Sequence, residues 1–146
     1  LIEYFYNNDD LSDPLISKEH IYAFNWLSKV ELDLINERCV RINDFMQGMF
    51  RSAGIKLVDF KLEFGKAKID GKTQIFLADE ISPDTCRLWD LSSEKKLDKD
   101  RFRNDLGNIT EGYQEVARRL GIMHEGSNIS EVKFGKPKAV DIKKRK

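Results

Sequence analysis

Apolar and charged side chains alternate strictly along residues 57–65, which read LVDFKLEFG. The charged positions are Asp59, Lys61 and Glu63. A repeat of two residues is the period of a β-strand, so one face of this segment is apolar and the other carries an acid, a base and an acid. The pattern predicts a half-buried strand. It leaves open whether the charged face is an ordinary solvated surface or the wall of a site for charged ligands.

A tight turn and a return strand are predicted to follow. Asp70-Gly71 is a strong signal for a two-residue hairpin turn. The segment TQIFLA, residues 73–78, is suited to the returning strand. A two-residue turn fixes the register of the pair, and in this register Phe64 lies opposite Leu77.

The same register creates a conflict further from the turn. If it continues regularly, it directs the side chain of Asp79 away from the face that carries Glu63, because successive side chains alternate between faces. If Glu63 and Asp79 are to hold one ligand together, as the resemblance described below implies, both side chains must lie on one side. We therefore expect regular pairing near the turn and a bulge or break close to Ala78-Asp79.

Helical spacing is clearest after Ser28, which can form a capping box with Glu31. Apolar residues then recur at intervals of three and four, which predicts the longest helix of the chain, with Gly54 as its stop. Core packing accounts for its inner stripe. This stripe consists of Ile35, Cys39, Ile42, Phe45, Met46, Met49 and Phe50.

Shorter elements are predicted on both sides of this helix. The opening LIEYFY is strand-like, and Ser17 can cap a short helix to about Asn25. Residues 79–90, DEISPDTCRLWD, have the composition of a loop. Segments 97–107 and 110–121 are predicted helices, with Asp98 and Thr110 as caps and Gly107 and Gly121 as stops. The order indicates an α+β fold, in which an antiparallel β-hairpin or sheet packs against a long helix and C-terminal helices.

Composition narrows the functional classes. The 146 residues are 40% hydrophobic and 34% charged, with 25 basic and 25 acidic side chains, so no net charge attracts the chain to nucleic acid or membrane surfaces. No apolar run approaches the roughly 18 residues that a membrane span needs. Cys39 and Cys86 are isolated, which argues against a disulfide framework and favours a cytoplasmic location. With His20 and His124 as the two histidines, a His/Cys metal site is not expected.

Charged residues that helix surfaces do not explain concentrate around the predicted hairpin. Two carboxylates at a hairpin end suit Mg²⁺, which usually takes one or two protein carboxylates together with water and phosphate oxygens. A nearby Lys can neutralise phosphate charge, and an Arg can hold a phosphate or carboxylate bidentately. Spacing alone leaves a phosphate-handling site and a solvated hairpin edge both open. Besides the strand residues, the acids and the base concerned are Asp13, Asp79, Glu80, Asp84 and Arg87.

Four segments in this order resemble the SAICAR synthetase (phosphoribosylaminoimidazole-succinocarboxamide synthase) family: LVDFKLEFG, LADEISPDTCRLWD, LDKDRFRNDLG and EGYQEVARRLG. The upstream EYFYNNDDLSDPLI is similar to the same family, so the resemblance extends over residues 1–122. It implies an enzyme of de novo purine biosynthesis that uses ATP to join the carboxylate of carboxy-aminoimidazole ribonucleotide to L-aspartate through an acyl phosphate. It also implies a fold distantly related to the ATP-grasp and kinase folds.

The resemblance implies a catalytic set of Lys61, Glu63 and Asp79. Glu63 and Asp79 are expected to hold the Mg²⁺ of ATP, and Lys61 is expected to face substrate or phosphate with Asp59 as an orienting partner. A salt bridge from Lys61 to either neighbouring acid is a compatible alternative. The expected substrate-binding residues are Asp13, Asp59, Lys61, Asp84, Arg87, Lys99 and Arg103.

Within the substrate-binding set, the resemblance gives Asp84 the hydroxyl groups of the ribonucleotide and Arg87 one of its anionic groups. Asp13 is expected near the imidazole, although an Asp that caps a turn before Pro14 is the plain alternative. A solvated basic face explains Lys99 and Arg103 almost as well as ligand binding.

The chain also departs from the family. Asn7 stands where the family often has Lys, and the family's N-terminal lobe is absent from this sequence. A Gly-Lys-Ala-Lys motif occurs at residues 65–68, inside the hairpin, so the phosphate-holding role of that motif is not transferred to it. We expect residues 1–122 to be the C-terminal part of the catalytic domain and residues 123–146 to be a polar, basic, mobile tail.

The expected partners are the small-molecule substrates, the missing N-terminal lobe and further copies in a homo-oligomer, with neither nucleic acid nor membrane among them. Two other functions stay open at this stage. One is a related kinase-like domain that binds Mg-ATP. The other is an inactive fragment or assembly module.

Overall fold

The computed structural model describes residues 1–100 and 109–123. These residues form an α+β arrangement of short antiparallel strand pairs around one long helix. The strands are β1 (Tyr4–Phe5), β2 (Leu15–Ile16), β3 (Ile55–Phe60), β4 (Phe64–Ile69), β5 (Lys72–Leu77) and β6 (Cys86–Asp90). The helices are α1 (Lys18–Ala23), α2 (Lys29–Ser52) and α3 (Ile109–Arg119), with a 3₁₀ turn at Asp9–Leu11.

Helix α2 begins at the predicted capping box. Ser28 Oγ accepts a hydrogen bond from the backbone N–H of Glu31 at 3.3 Å, and the Glu31 carboxylate accepts one from the Ser28 N–H at 2.7 Å. Just beyond the helix, Gly54 has a left-handed φ of 69°. Glycine adopts this conformation without steric cost, so it suits a helix stop. The predicted start and stop of the long helix are confirmed.

The core lies between α2, the β3–β6 pair and α3. Its buried members are Met46, Phe50, Ile55, Leu57, Cys86, Leu88, Leu97 and Val116. The sequence pattern predicted most of the α2 contribution, but Phe45 is 70% exposed and was wrongly included in the inner stripe. Adjacent helical residues are separated by about 100°, so Phe45 turns outward when its neighbour Met46 points into the core.

The predicted hairpin is confirmed in its register. Strands β4 and β5 pair with Phe64 opposite Leu77 and Ile69 opposite Lys72. Asp70 and Gly71 have φ of 48° and 76°, the two positive values that a type I′ turn requires. Strand β5 ends at Leu77, and one further hydrogen bond in the same register, from the N–H of Ala78 to the carbonyl of Glu63 at 2.8 Å, follows it. The bulge or break expected close to Ala78-Asp79 stays a prediction.

The alternating segment is not one strand. Strand β3 ends at Phe60 and β4 begins at Phe64. Strand β3 pairs with β6, an antiparallel partner that lies in the segment predicted to be a loop. The prediction failed there because the turn signal of Ser82-Pro83-Asp84 obscured the alternation of Cys86 and Leu88, both buried, with exposed Arg87.

A β-bulge at Val58 changes the phase of β3. Leu57 pairs with Leu88, but the next pair is Asp59 with Arg87, so Val58 has no opposite residue. Leu57 points inward, whereas Val58 and Asp59 are both exposed and the chain turns back inward only at Phe60. A bulge of this kind inserts one residue and redirects the side chains that follow. The adjacent apolar pair Leu57-Val58 is the signal of this phase change in the sequence.

Helix α3 begins one residue before the predicted cap Thr110, and Gly121 beyond its end has the expected positive φ of 71°. In the part of the chain that the structure describes, no helix is long and apolar enough to cross a membrane. Cys39 and Cys86 are free thiols. Most of the predicted helix at 97–107, together with Arg103 and the tail from 124 onward, lies outside the described residues.

Candidate functional site

Several of the predicted site residues lie where the β3–β6 pair ends. Beyond Phe60 the chain stays beside the loop that leads into β6, because the backbone N–H of Lys61 donates to the carbonyl of Thr85 at 2.8 Å. On the other side, the backbone N–H of Ala78 donates to the carbonyl of Glu63 at 2.8 Å. Lys61 and Glu63 therefore bridge the two strand pairs, in a short irregular segment between β3 and β4.

Lys61 lies among carboxylates. Its ammonium nitrogen Nζ is 2.7 Å from Glu63 Oε1 and 3.9 Å from Asp13 Oδ2. The hydrogen bond with Glu63 raises the pKa of Lys61, and the negative charges of Glu63, Asp13 and Asp79 act in the same direction against a smaller effect of burial. Lys61 is therefore a firmly protonated cation. The expected salt bridge to a neighbouring acid is confirmed for Glu63.

Asn7 also contacts this group, a role that the sequence did not indicate. Its side-chain Nδ2 donates to Glu63 Oε2 at 2.9 Å. Both oxygens of Glu63 thus have a protein donor, one from Lys61 and one from Asn7. We call Asn7, Asp13, Lys61 and Glu63 the Lys61 cluster. The position where the family often has Lys is therefore within reach of the predicted metal ligand.

Asp13 contacts both its own turn and the Lys61 cluster. Its Oδ1 accepts a hydrogen bond from the backbone N–H of Asn8 at 2.8 Å, and its Oδ2 faces Lys61. Its backbone has a left-handed φ of 48°. Pairing of β1 with β2 closes this loop and carries Asp13 and Asn7 to the cluster. The turn-capping alternative is confirmed and Asp13 also faces Lys61, while its expected place near the imidazole stays a prediction.

Arg87 is held between two acids. Its Nη1 lies 2.6 Å from Asp59 Oδ2, and its Nε lies 3.2 Å from Asp100 Oδ2. The bulge at Val58 makes the first contact possible, since it places Asp59 on the exposed face opposite Arg87. Asp59 was expected to orient Lys61, and the structure gives it a different cation. The sequence did not single out Asp100.

Asp84 lies in the loop before β6 and has a partner on another element. Tyr113 of α3 donates from its hydroxyl to Asp84 Oδ1 at 2.6 Å. Burial and the neighbouring Asp84 carboxylate raise the pKa of Tyr113, so its hydroxyl stays protonated. Tyr113 recurs at helical spacing with Val116, Ala117 and Leu120, a pattern that predicts an inner face and gives no sign of this contact.

Asp79 and Lys99 have less contact with these groups. Asp79 is exposed just after β5 and acts on Lys61 through its charge. Lys99 is half-buried in the turn that follows Asp98. Arg103 lies outside the described residues.

The carboxylates of Glu63 and Asp79 fit a magnesium ion that is partly coordinated by a bound ligand better than one that is coordinated by protein side chains alone. Within residues 1–100 and 109–123, no group of three or more His, Cys, Asp or Glu side chains could hold a metal ion. Glu63 offers a carboxylate in contact with Lys61, and Asp79 acts on the same Lys through its charge. Mg²⁺ prefers oxygen ligands and usually completes its shell with phosphate and water. Their surroundings therefore match a metal that arrives together with a polyphosphate.

The site is an accessible face. The side chains of Lys61 and Glu63 are 54% and 24% exposed. Two cavities lie elsewhere: one of about 250 Å³ beside α3 and Asp90, and one of about 230 Å³ between α2 and the β4–β5 hairpin. A ligand at the Lys61 cluster would therefore lie on a surface made by irregular strand ends.

Comparison with known proteins gives one consistent result. The profile of the SAICAR synthetase family matches residues 1–120. Among curated proteins, the phosphoribosylaminoimidazole-succinocarboxamide synthase of Pelagibacter ubique is 60% identical over all 146 residues, which cover 55% of its own length. The enzyme of the same name from Sphingopyxis alaskensis is 60% identical over 88% of this chain and 50% of its own. The chain thus spans about half the length of the curated relatives it matches.

Solved structures agree in fold. The synthase from Ehrlichia chaffeensis superposes with a TM-score of 0.80 at 55% identity, over 85% of this chain and 52% of its own. The SAICAR synthetase from Pyrococcus horikoshii gives 0.76 at 44% identity, over 83% and 51%. A SAICAR synthetase solved in complex with ADP gives 0.76 at 43% identity, over 88% and 52%.

Proposed function

The chain belongs to the SAICAR synthetase family, and from this premise we propose that it supplies part of an ATP-dependent ligase of de novo purine biosynthesis. The reaction joins the carboxylate of carboxy-aminoimidazole ribonucleotide to the amine of L-aspartate. The observation that carries the proposal is 60% identity, over the whole chain, to a protein of that name. The Lys61 cluster lies within the matched region.

The chemistry requires activation of a carboxylate. Its oxygen is a poor leaving group, whereas phosphate is a good one, so transfer of the ATP γ-phosphoryl group to the substrate carboxylate gives an acyl phosphate. The amine of aspartate then attacks the acyl carbon, and phosphate leaves. In phosphoryl transfer the protein acts mainly by positioning the reactants and neutralising charge.

The Lys61 cluster is suited to the anionic end of this reaction. Glu63 and Asp79 would hold Mg²⁺ for ATP, and the ion would supply charge stabilisation at the phosphoryl oxygens. Lys61 is protonated and accessible, so it can lie against phosphate or the substrate carboxylate. Asn7 holds the second oxygen of Glu63 and so limits the orientations of that carboxylate.

Asp84 and Arg87 are assigned to the ribonucleotide. Asp84 is exposed and can accept from hydroxyl groups. Arg87 is fixed by Asp59 and Asp100 with its side chain still 46% exposed, so part of the guanidinium can face an anion. Asp13 is assigned to the neighbourhood of the imidazole, and Lys99 and Arg103 to the same anionic groups.

The remaining part of the active site would come from outside this sequence. The matched relatives are about twice as long, which supports residues 1–122 as the C-terminal part of a larger catalytic domain with a separate N-terminal lobe. A distant relationship to the ATP-grasp and kinase folds, a basic tail at 123–146, a homo-oligomer and a cytoplasmic location stay predictions. So do the expected absences of nucleic-acid and membrane partners.

The metal assignment is tested by Glu63→Gln in the full-length protein that carries this chain. Metal-ion stabilisation is worth several kcal/mol, so ligation at saturating Mg-ATP should fall by at least about 100-fold. Glu80→Gln is the matched control. Glu80 is exposed next to Asp79, and its contact is a hydrogen bond from Ser82 that a Gln side chain can still accept.

Near-normal turnover by the Glu63 variant would contradict the metal assignment. Failure of the wild-type protein to consume L-aspartate, with phosphoryl transfer to another acceptor instead, would favour a kinase-like activity and overturn the ligase proposal. Coupled measurement of ADP and of the succinocarboxamide product separates these results.

A further inference from the structure

Tyr113 makes a long-range contact that the stability of the fold does not explain. Its hydroxyl reaches from α3 to the loop before β6 and donates to Asp84 Oδ1 at 2.6 Å, across 29 residues of sequence. Asp84 is exposed and Tyr113 is half-buried. A carboxylate on a loop gains little stability from such a bond, because water would satisfy it almost as well. The orientation of the Asp84 carboxylate, however, depends on this hydrogen bond.

Helix α3 is anchored well enough to make Tyr113 a fixed support. Val116, one turn further along, is 4% exposed in the core. At the end of the helix, Arg119 Nη1 lies 2.7 Å from Asp90 Oδ2 and donates to the carbonyl of Gly54 at 3.1 Å. The helix is thus held by packing in its middle and by an ion pair at its end, so the hydroxyl of Tyr113 has a defined position.

The loop fixes the backbone of Asp84 independently of its side chain. The N–H of Asp84 donates to Ser82 Oγ at 3.1 Å, and the N–H of Ser82 donates to Thr85 Oγ1 at 3.0 Å. These bonds close a turn that leads into β6. Within residues 1–100 and 109–123, Tyr113 is the one side chain that donates to the Asp84 carboxylate. Among the described residues, the side-chain orientation of Asp84 is therefore restrained by Tyr113.

We propose that Tyr113 is a positioning residue, which holds Asp84 Oδ1 so that the second oxygen, Oδ2, is presented to a hydroxyl group of the bound ribonucleotide. The inference rests on the proposed function and deepens it. An acceptor that is already oriented loses less rotational entropy when the ligand binds, and this raises affinity without a new contact. The raised pKa of Tyr113 agrees with this role, since a protonated hydroxyl is needed as the donor.

The test is Tyr113→Phe in the full-length protein. The substitution removes one oxygen and keeps the ring, so packing around α3 is preserved. Without the bond from Tyr113 the ligand itself must order the Asp84 carboxylate, which should raise KM for the ribonucleotide about 2- to 12-fold, while KM for ATP and kcat stay within about twofold. Tyr22→Phe, at an exposed tyrosine of α1, is the matched control and should change none of these values.

A double-mutant cycle identifies the route of the effect. If Tyr113 acts through Asp84, Tyr113→Phe should have no further effect on KM in an Asp84→Ala background. Additive effects of the two substitutions would show that Tyr113 contacts the ligand or the fold by another route, and would overturn the proposal. A lower melting temperature of Tyr113→Phe with unchanged KM would also overturn it, because the role would then be structural.

Asp84→Asn gives a test that does not depend on a Tyr113 variant. The amide oxygen can still accept from Tyr113, which would hold the amide nitrogen toward the ligand hydroxyl. An amide nitrogen is a donor, whereas the proposal places an acceptor there, so KM for the ribonucleotide should rise for Asp84→Asn as it does for Asp84→Ala, and an unchanged KM would contradict the inference. If the wild-type protein fails to ligate aspartate, the proposed function fails itself. If it ligates normally and Tyr113→Phe is silent, the positioning role alone fails.

Discussion

At the scale of single residues, the ion pair between Lys61 and Glu63 decides how the site can receive a ligand. Glu63 already has one protein donor on each oxygen, so a metal ion would bind at the lone pairs that remain or would replace Lys61 or Asn7. An ion pair with a half-exposed Lys is worth only about 0–1 kcal/mol, whereas a metal with its phosphates offers several. Replacement of Lys61 by a metal ion at Glu63 therefore costs little free energy, and the released Lys61 ammonium stays close to the phosphates.

Asp90, by contrast, is a carboxylate that stabilises the fold. Its Oδ1 accepts from the backbone N–H groups and hydroxyls of Ser92 and Ser93 at 2.6–3.0 Å, and its Oδ2 faces Arg119 at 2.7 Å. The hydrogen bonds from Ser92 and Ser93 hold the pKa of Asp90 far below its usual range, and Arg119 adds to this effect. Asp90 thus joins the end of β6 to α3.

These contacts of Asp90 predict that the stability of the fold depends on pH. A carboxylate with a depressed pKa in the folded state stabilises the protein above its unfolded pKa of about 3.9, and that contribution is lost as the pH falls. Asp90→Asn should lower the urea midpoint of unfolding at pH 7. The difference from wild type should shrink as the pH falls below about 4.

Glu94→Gln is the control for this series. Glu94 reaches Lys56 at 3.9 Å with its side chain 72% exposed, so its substitution should leave the urea midpoint unchanged at pH 7. A gap between wild type and Asp90→Asn that stays constant from pH 7 to pH 3 would show that the charge of Asp90 does not stabilise the fold.

At the scale of elements, the bulge in β3 connects core packing to the charged face. Before it, Ile55 and Leu57 point inward, and after it Phe60 does so. A regular strand would point Asp59 toward the core and Phe60 toward water. The bulge avoids the cost of a buried carboxylate and at the same time sets Asp59 opposite Arg87.

Two neighbouring truncations test this phase change. Leu57 is 4% exposed in the core and Val58 is 37% exposed. Leu57→Ala should cost about 2–5 kcal/mol of unfolding free energy, because it leaves a cavity. Val58→Ala should cost less than about 1 kcal/mol, since surface substitutions have small effects. Chemical denaturation measures both unfolding free energies. Equal losses would place Val58 in the core and contradict the bulge.

At the scale of the whole molecule, the Lys61 cluster is accessible, and none of its residues lines either of the two cavities described above. Phosphoryl transfer to a carboxylate needs a site that excludes water, since an acyl phosphate is hydrolysed readily. The relatives that this chain matches are about twice its length. On the proposed function, we expect the part of the active site outside this chain to cover this face.

The expected consequence is that the 146-residue chain alone does not ligate L-aspartate. Product formation from the ribonucleotide, Mg-ATP and aspartate should be undetectable for the purified chain and normal for the full-length protein under the same conditions. Circular dichroism of the isolated chain provides the control that it is folded. Turnover by the folded chain alone would mean that residues 1–146 hold a complete site.

Local patterns in the sequence determined those features that depend on neighbouring residues. The capping box at Ser28, the stop at Gly54 and the Asp70-Gly71 turn are settled within one or two turns of chain, and all three were predicted correctly. The register of the β4–β5 hairpin followed because a two-residue turn permits few alternatives. The resemblance identified the family, which the comparisons confirm.

Tertiary structure decided which distant residues meet. Pairing of β3 with β6 joins segments more than 25 residues apart, and no local signal chooses such a partner over an adjacent one. The same holds for Arg87 with Asp59, Asn7 with Glu63, and Tyr113 with Asp84. Side chains on loops and strand ends obey no period, so their contacts depend on how the core brings the elements together. The residue types of the candidate site were therefore readable from the sequence, and their partnerships were not.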